Sequence, residues 1–164
     1  MKDKFKQAYM TVAETFAELS HCERAKVGAI IVKSDRIISI GYNGMPAGYD
    51  NCCEDHLESY DARDANNPLD PRPWTYDPDT KKYHALKSKP EVLHAEANAI
   101  AKLAQSSESS EGAVMFCTHT PCIECAKLIH QAGIEKVYYR CDYDAGKGSG
   151  RDFLGPKLEQ VHIP

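Results

Sequence analysis

His94-Ala95-Glu96 and Pro121-Cys122-Ile123-Glu124-Cys125 constrain this chain more than any other stretch, because their side chains make chemical sense only if two separate parts of the sequence meet at one point. An imidazole and two thiols supply three metal ligands, and Glu96 supplies one acid/base. Structural zinc is normally closed by four protein ligands, whereas hydrolytic zinc holds three and leaves the fourth position to water or substrate. His94, Cys122 and Cys125 as ligands of a catalytic Zn2+, with Glu96 beside them, fit the open pattern.

Local structure supports the convergence. Cys122 and Cys125 are three residues apart, so a helix starting near Pro121 projects both sulfurs from one face of its first turn. The unsatisfied N–H groups of that turn favour thiolate. Residues Ala95 to Ala104 are rich in good helix formers, which places His94 and Glu96 at a second helix start. Zinc at such a point lowers the pKa of its water from ~15.7 to ~7. The bland alternative is a structural zinc knuckle in which Glu96 is merely a favourable first-turn acid.

The chain of 164 residues is long enough for one domain, and residues 1–164 read as a single one. Its 20 basic and 24 acidic residues give a net charge of −4 with no basic run, which favours a small-molecule substrate over nucleic acid. Seven cysteines, four of them in CxxC and CC pairs, read as metal ligands in a reducing compartment. The N-terminus has no apolar run of signal-peptide type and no stretch approaches a membrane span, so a cytoplasmic protein with no membrane partner is expected.

Phe5, Tyr9, Val12, Phe16 and Leu19 recur at helical spacing. Val27–Val32 and Arg36–Tyr42 read as strands joined by a turn at Ser34-Asp35. From about 44 to 93 the sequence is rich in Pro, Asp, Asn and Gly and lacks periodicity, so a long loop or insertion is expected. A helix from Glu96, a strand at Ala113–Cys117, a helix from Cys122 ending near Gly133, and a strand at Ile134–Tyr139 then alternate, which implies a parallel portion of sheet. The tail through Phe153, Leu158 and Val161 reads as a short helix and an edge strand.

Lys26–Ile31, Gly41–Gly48, His94–Ile100 and Pro121–Ile129, in this order and spacing, resemble the deoxycytidylate deaminases, and the stretch after Asn51-Cys52-Cys53 resembles their T-even bacteriophage type. H-x-E…P-C-x-x-C is the signature of the zinc deaminases, in which the Glu is a proton shuttle and not a ligand. The resemblance covers roughly residues 8 to 145. It implies an α/β, three-layer α/β/α cytidine-deaminase-like fold with a mixed sheet of about five strands. It also implies conversion of dCMP to dUMP, which feeds thymidylate synthesis, in a homohexamer activated by dCTP and inhibited by dTTP, with Mg2+ accompanying the triphosphate. For a viral protein the compartment would be the host cytoplasm.

The same resemblance assigns residues. Asn43 would hold the sugar, against an alternative as a left-handed turn residue in Asn-Gly. Ala95 would offer its N–H to the base, Tyr143 would stand beside it, and Arg24 would grip the phosphate, with Lys26 as the alternative cation. For Tyr143 and Arg24 the competing readings are a surface tyrosine and a solvated arginine. Gly44 and Asp50 fall where relatives bind the effector. Cys22, Cys52 and His84, completed by His56 or Cys53, match a second, structural zinc. Competing functions are deamination of guanine, tRNA adenosine or a riboflavin precursor on the same fold, or a non-enzymatic zinc-stabilised nucleotide-binding protein.

Overall fold

The computed structural model describes residues 1–61, 74–143 and 150–162. Its frame starts from two apolar strands, Gly28–Lys33 (β1) and Arg36–Tyr42 (β2). The linking residues Ser34 and Asp35 have φ of 50° and 58°, the left-handed pair whose twist matches a two-residue hairpin. Pairing runs from Gly28 opposite Tyr42 to Lys33 opposite Arg36.

Three later strands complete the sheet: Val114–His119 (β6), Lys136–Cys141 (β7) and Leu158–Gln160 (β8). The order is β2-β1-β6-β7-β8. β1 meets β6 antiparallel, while β6–β7 and β7–β8 are parallel, so the sheet is mixed and contains the parallel portion that the alternation of helices and strands implied. A parallel pair needs a crossover. Ile123–Gln131 (α3) supplies the first, and Gly133, with φ of 72°, ends it. The short helix Gly150–Leu154 (α4) leads into the edge strand β8.

Alternation along the strands splits the core into two faces. Ile30, Val32, Phe116 and Tyr138 turn toward Met10 and Ala13 of Asp3–Ala17 (α1). Ile31, Met115 and Val137 turn the other way, toward Ala99 of Ala95–Leu103 (α2) and Ile129 of α3. Each fully buried Ile or Phe contributes about 1.5–3 kcal/mol relative to exposure. The result is the expected α/β/α sandwich. Helix and sheet approach closely at two glycines: a Cβ at Gly28 would overlap the Ala13 carbonyl, and one at Gly41 the Ala95 carbonyl. Among the described residues no helix is long and apolar enough to cross a membrane.

The stretch between β2 and α2 departs from the expected loop. It holds a second sheet of Glu54–Ser59 (β3), Thr75–Asp77 (β4) and Lys82–Ser88 (β5), ordered β3-β5-β4. These strands escaped the periodicity reading because their few apolar residues do not alternate with polar ones along the strand. In β5 only Ala85 is buried, and in β3 only Glu54.

Candidate active site

The metal-ligating residues are helix N-caps, which is how two distant segments come to one point. His94 caps α2 and Cys122 caps α3, both with extended backbone (ψ 152° and 169°), and the Cys122 sulfur accepts the Cys125 N–H at 3.5 Å. The two first turns therefore present their N–H groups to the same space, where thiolate is favoured. His94 Nδ1 lies 3.5 Å from Cys122 Sγ and 3.4 Å from Cys125 Sγ. Zn–S and Zn–N bonds of about 2.3 and 2.0–2.1 Å at tetrahedral angles give an edge of about 3.6 Å, so this donor set fits zinc. Among the described residues it is the only group of three or more that could hold a metal ion. Burial falls from Cys125 through Cys122 to His94, which leaves an open side.

The electrostatics of the ligand cluster follow from its hydrogen bonds. The Cys125 thiol, then His94, draw the Cys122 thiol down to about 3, while Cys125, facing that thiolate and buried, is pushed up. Contact with Cys122 raises His94. Burial raises the Glu96 carboxyl above the usual glutamate range. Glu96 is 4 % exposed.

The open side faces a cavity of about 290 Å³, near the lower limit of roughly 300 Å³ for small-molecule sites. His94, Glu96 and Cys122 line it, and so do Arg24, Asn43, Ala95 and Tyr143. Ala95 is the first residue of α2 and is fully buried, so its N–H belongs to the helix end that has no intrahelical acceptor. Asn43 is not among the described residues of positive φ, which removes its turn-residue reading. Its amide oxygen accepts the Val27 N–H and its amide nitrogen donates to the Ala25 carbonyl, both at 2.8 Å. Tyr143 stands at the rim, edge-on to the His119 ring at 6.3 Å. Arg24 Nη1 donates to Ser88 Oγ at 3.1 Å, whereas Lys26 turns away to Glu18 and does not line the cavity.

Against this geometry the comparisons with known proteins are decisive. The family described as the cytidine and deoxycytidylate deaminase zinc-binding region matches residues 3–141. This chain belongs to that family. Among relatives of this deaminase, the deoxycytidylate deaminase of Enterobacteria phage T4 is 36% identical, over 94% of this chain and 88% of that one. The dCMP deaminase of cyanophage S-TIM5, solved in complex with dCMP and dUMP, superposes with a TM-score of 0.74 at 41% identity over 98% of each chain. A diaminohydroxyphosphoribosylaminopyrimidine deaminase/reductase of Thermotoga maritima, at 20% identity and a TM-score of 0.61 over 97% of this chain and 37% of that one, shares the fold alone.

The expected second metal set of this deaminase is not assembled. Cys22 is joined to Cys53 in a disulfide, Cys52 is a free, exposed thiol, His56 faces Glu23, and His84 lies between Glu58 and Asp77. Of the two adjacent cysteines it is Cys53, buried where Cys52 is exposed, that meets Cys22. The disulfide also departs from the reading of these cysteines as metal ligands. Gly44 and Asp50, expected at an effector site, lie outside the lining of this cavity. Gly44 bridges to Leu93, with N–H to carbonyl distances of 3.1 and 2.9 Å, and so ties the end of β2 to the residue before His94.

Several cavity residues escaped the sequence reading: Glu54, Ser88, Lys89, His119 and Thr120. His119 ends β6 and Thr120 directly precedes the PCxxC motif, and their place just before Cys122 was a usable signal. Burial lowers the His119 pKa. Glu54, Ser88 and Lys89 had no signal, because the strands that deliver them carry no hydrophobic pattern.

Proposed function

We propose that the protein is a zinc-dependent dCMP deaminase that converts dCMP and water to dUMP and ammonia and so supplies dUMP for thymidylate synthesis. One observation carries the reading: a three-ligand metal set and a buried glutamate open into the same cavity as an arginine able to hold a phosphate. The 41% identity to a dCMP deaminase bound to dCMP and dUMP supports that substrate.

His94, Cys122 and Cys125 would hold a zinc ion, which would supply a Lewis acid and lower the pKa of water to ~7. Glu96 takes the water proton, delivers it to the ring nitrogen of cytosine, and then moves a second proton to the departing amine, so that water is consumed and ammonia leaves. Its burial raises its pKa, which makes it a stronger proton acceptor than an exposed glutamate. Ala95 offers its first-turn N–H to the base, Asn43 faces the sugar, Tyr143 walls the base, and Arg24 grips the 5′-phosphate. In the same reading the enzyme is a cytoplasmic homohexamer, with dCTP as activator and dTTP as inhibitor, Mg2+ accompanying the triphosphate.

Ammonia release from a panel of dCMP, deoxycytidine, guanine and adenosine tests the proposal. Turnover of dCMP far above the rest is expected. Release from guanine or adenosine in preference to dCMP, or none at all from zinc-loaded protein, would overturn it.

A further inference from the structure

Phosphate recognition has an unmet electrostatic demand. A nucleoside monophosphate brings between one and two negative charges near pH 7, its second pKa being about 6, into a chain of net charge −4. The cavity wall already contains Glu54 and Glu96, and Arg24 offers one positive charge. Among the described residues, Lys89 is the other Lys or Arg that lines the cavity.

Lys89 is held where it stands. It follows the end of β5, its N–H donates to the Cys53 carbonyl at 2.9 Å, and Pro90 behind it confines it to extended backbone. Contact with the Cys52 thiol, with Asp55 and Asp50 also near, raises its pKa. Lys87, two residues earlier, is exposed and lies outside the cavity wall.

The same small sheet grips Arg24 from both ends. Ser88 Oγ accepts the guanidinium. Glu54, 3 % exposed, accepts the backbone N–H groups of Glu23 at 3.2 Å and Arg24 at 3.3 Å, one on each carboxylate oxygen. A buried carboxylate with both oxygens committed to one turn sets the path of that turn.

We propose that the β3-β5-β4 sheet builds the phosphate end of the pocket, with Lys89 contacting the 5′-phosphate beside Arg24 and Glu54 acting as the positioning residue for Arg24. The proposal rests on the dCMP reading. It assigns selectivity for nucleotide over nucleoside to the segment between β2 and α2.

The test is steady-state kinetics on dCMP and deoxycytidine, with inorganic phosphate as competitive inhibitor, for the zinc-loaded parent, Lys89→Ala, Lys89→Arg, Lys87→Ala, Glu54→Gln, Arg24→Ala and the Glu54→Gln/Arg24→Ala pair. Lys89→Ala should lower kcat/KM for dCMP about 10- to 150-fold, mostly through KM, the range expected for one charged hydrogen bond. It should weaken phosphate inhibition and leave deoxycytidine unchanged. Lys89→Arg should recover part of the loss and Lys87→Ala should match the parent. Glu54→Gln should raise KM for dCMP with kcat retained, and its effect should vanish once Arg24 is Ala. Equal losses on both substrates, or no loss in Lys89→Ala, would overturn the role of Lys89. An undiminished Glu54→Gln effect in the Arg24→Ala background would overturn that of Glu54. A parent that does not prefer dCMP to deoxycytidine would instead sink the dCMP reading itself.

Discussion

The two ends of the pocket are built on opposite plans. At the metal end, His94 and Cys122 cap helices whose bodies form the core: Ala95, Ala99, Ala126 and Ile129 are all fully buried. At the other end, Arg24, Ser88 and Lys89 sit on a turn and a polar sheet that buries little beyond Cys53, Glu54 and Ala85. Chemistry that needs sub-ångström placement rests on elements fixed by apolar packing. In the proposed reading, recognition of the phosphate rests on hydrogen bonds and charge, which tolerate a less buried support.

The sharpest way to break that contrast is to remove a ligand. Cys122→Ala should release zinc, abolish turnover and loosen the starts of α2 and α3 together. Metal analysis that finds full occupancy would reject Cys122 as a ligand and with it the plan of the metal end.

Glu96 comes next. Glu96→Ala should keep zinc and lower kcat by at least ~10²–10⁴-fold, the usual contribution of a general acid/base. As proton acceptor Glu96 must be ionised, and burial raises its pKa above the ordinary value of 4.5, so the acid limb of kcat/KM should fall above that pH. The sign for stability is the reverse. A raised folded-state pKa favours the protonated form, so the contribution of Glu96 is fully present below its unfolded pKa and is lost as pH rises through its folded value. Glu96→Gln should therefore raise Tm of the metal-free protein at neutral pH while the zinc-loaded variant loses activity, and parent-like turnover would end the assigned mechanism.

Arg24→Ala moves to the other end of the pocket. Charged hydrogen bonds are worth ~1.5–3 kcal/mol, so kcat/KM for dCMP should fall about 10- to 150-fold. Deoxycytidine should be nearly indifferent. Equal losses on both would make Arg24 a support of the fold instead.

The same contrast explains what could be read in the sequence. The β1–β2 hairpin, α1, both helix starts and the parallel β6–β7 pair were legible, because apolar periodicity and capping are local signals. The ligand set was legible because three metal donors and one acid at helix starts leave few alternatives. The β3-β5-β4 sheet was not, since Glu54–Ser59 and Lys82–Ser88 bury one residue each and so carry no period. Nor could neighbours decide whether Cys52 or Cys53 turns inward, which depends on the path of the chain into β3, or show that the Asn43 amide holds the 25–27 backbone. Lys89 belongs to no motif, and only the return path of β5 brings it to the cavity.

The smallest effect tests whether the appended sheet is mechanically separate from the metal end. Tyr76 of β4 is 50% exposed and meets Tyr83 of β5 with ring centroids 5.1 Å apart. Such a pair adds about 0.5–1.5 kcal/mol beyond burial, whereas Phe116→Ala in the core, where the ring stacks on Tyr138 at 4.8 Å, should cost about 3–5 kcal/mol. Tyr76→Ala should therefore lower Tm only slightly, keep zinc, and leave kcat for dCMP and kcat/KM for deoxycytidine at parent values. Loss of zinc or of deoxycytidine turnover from this exposed position would mean that the two ends unfold as one unit, and that the phosphate end is as much a part of the metal frame as the helices are.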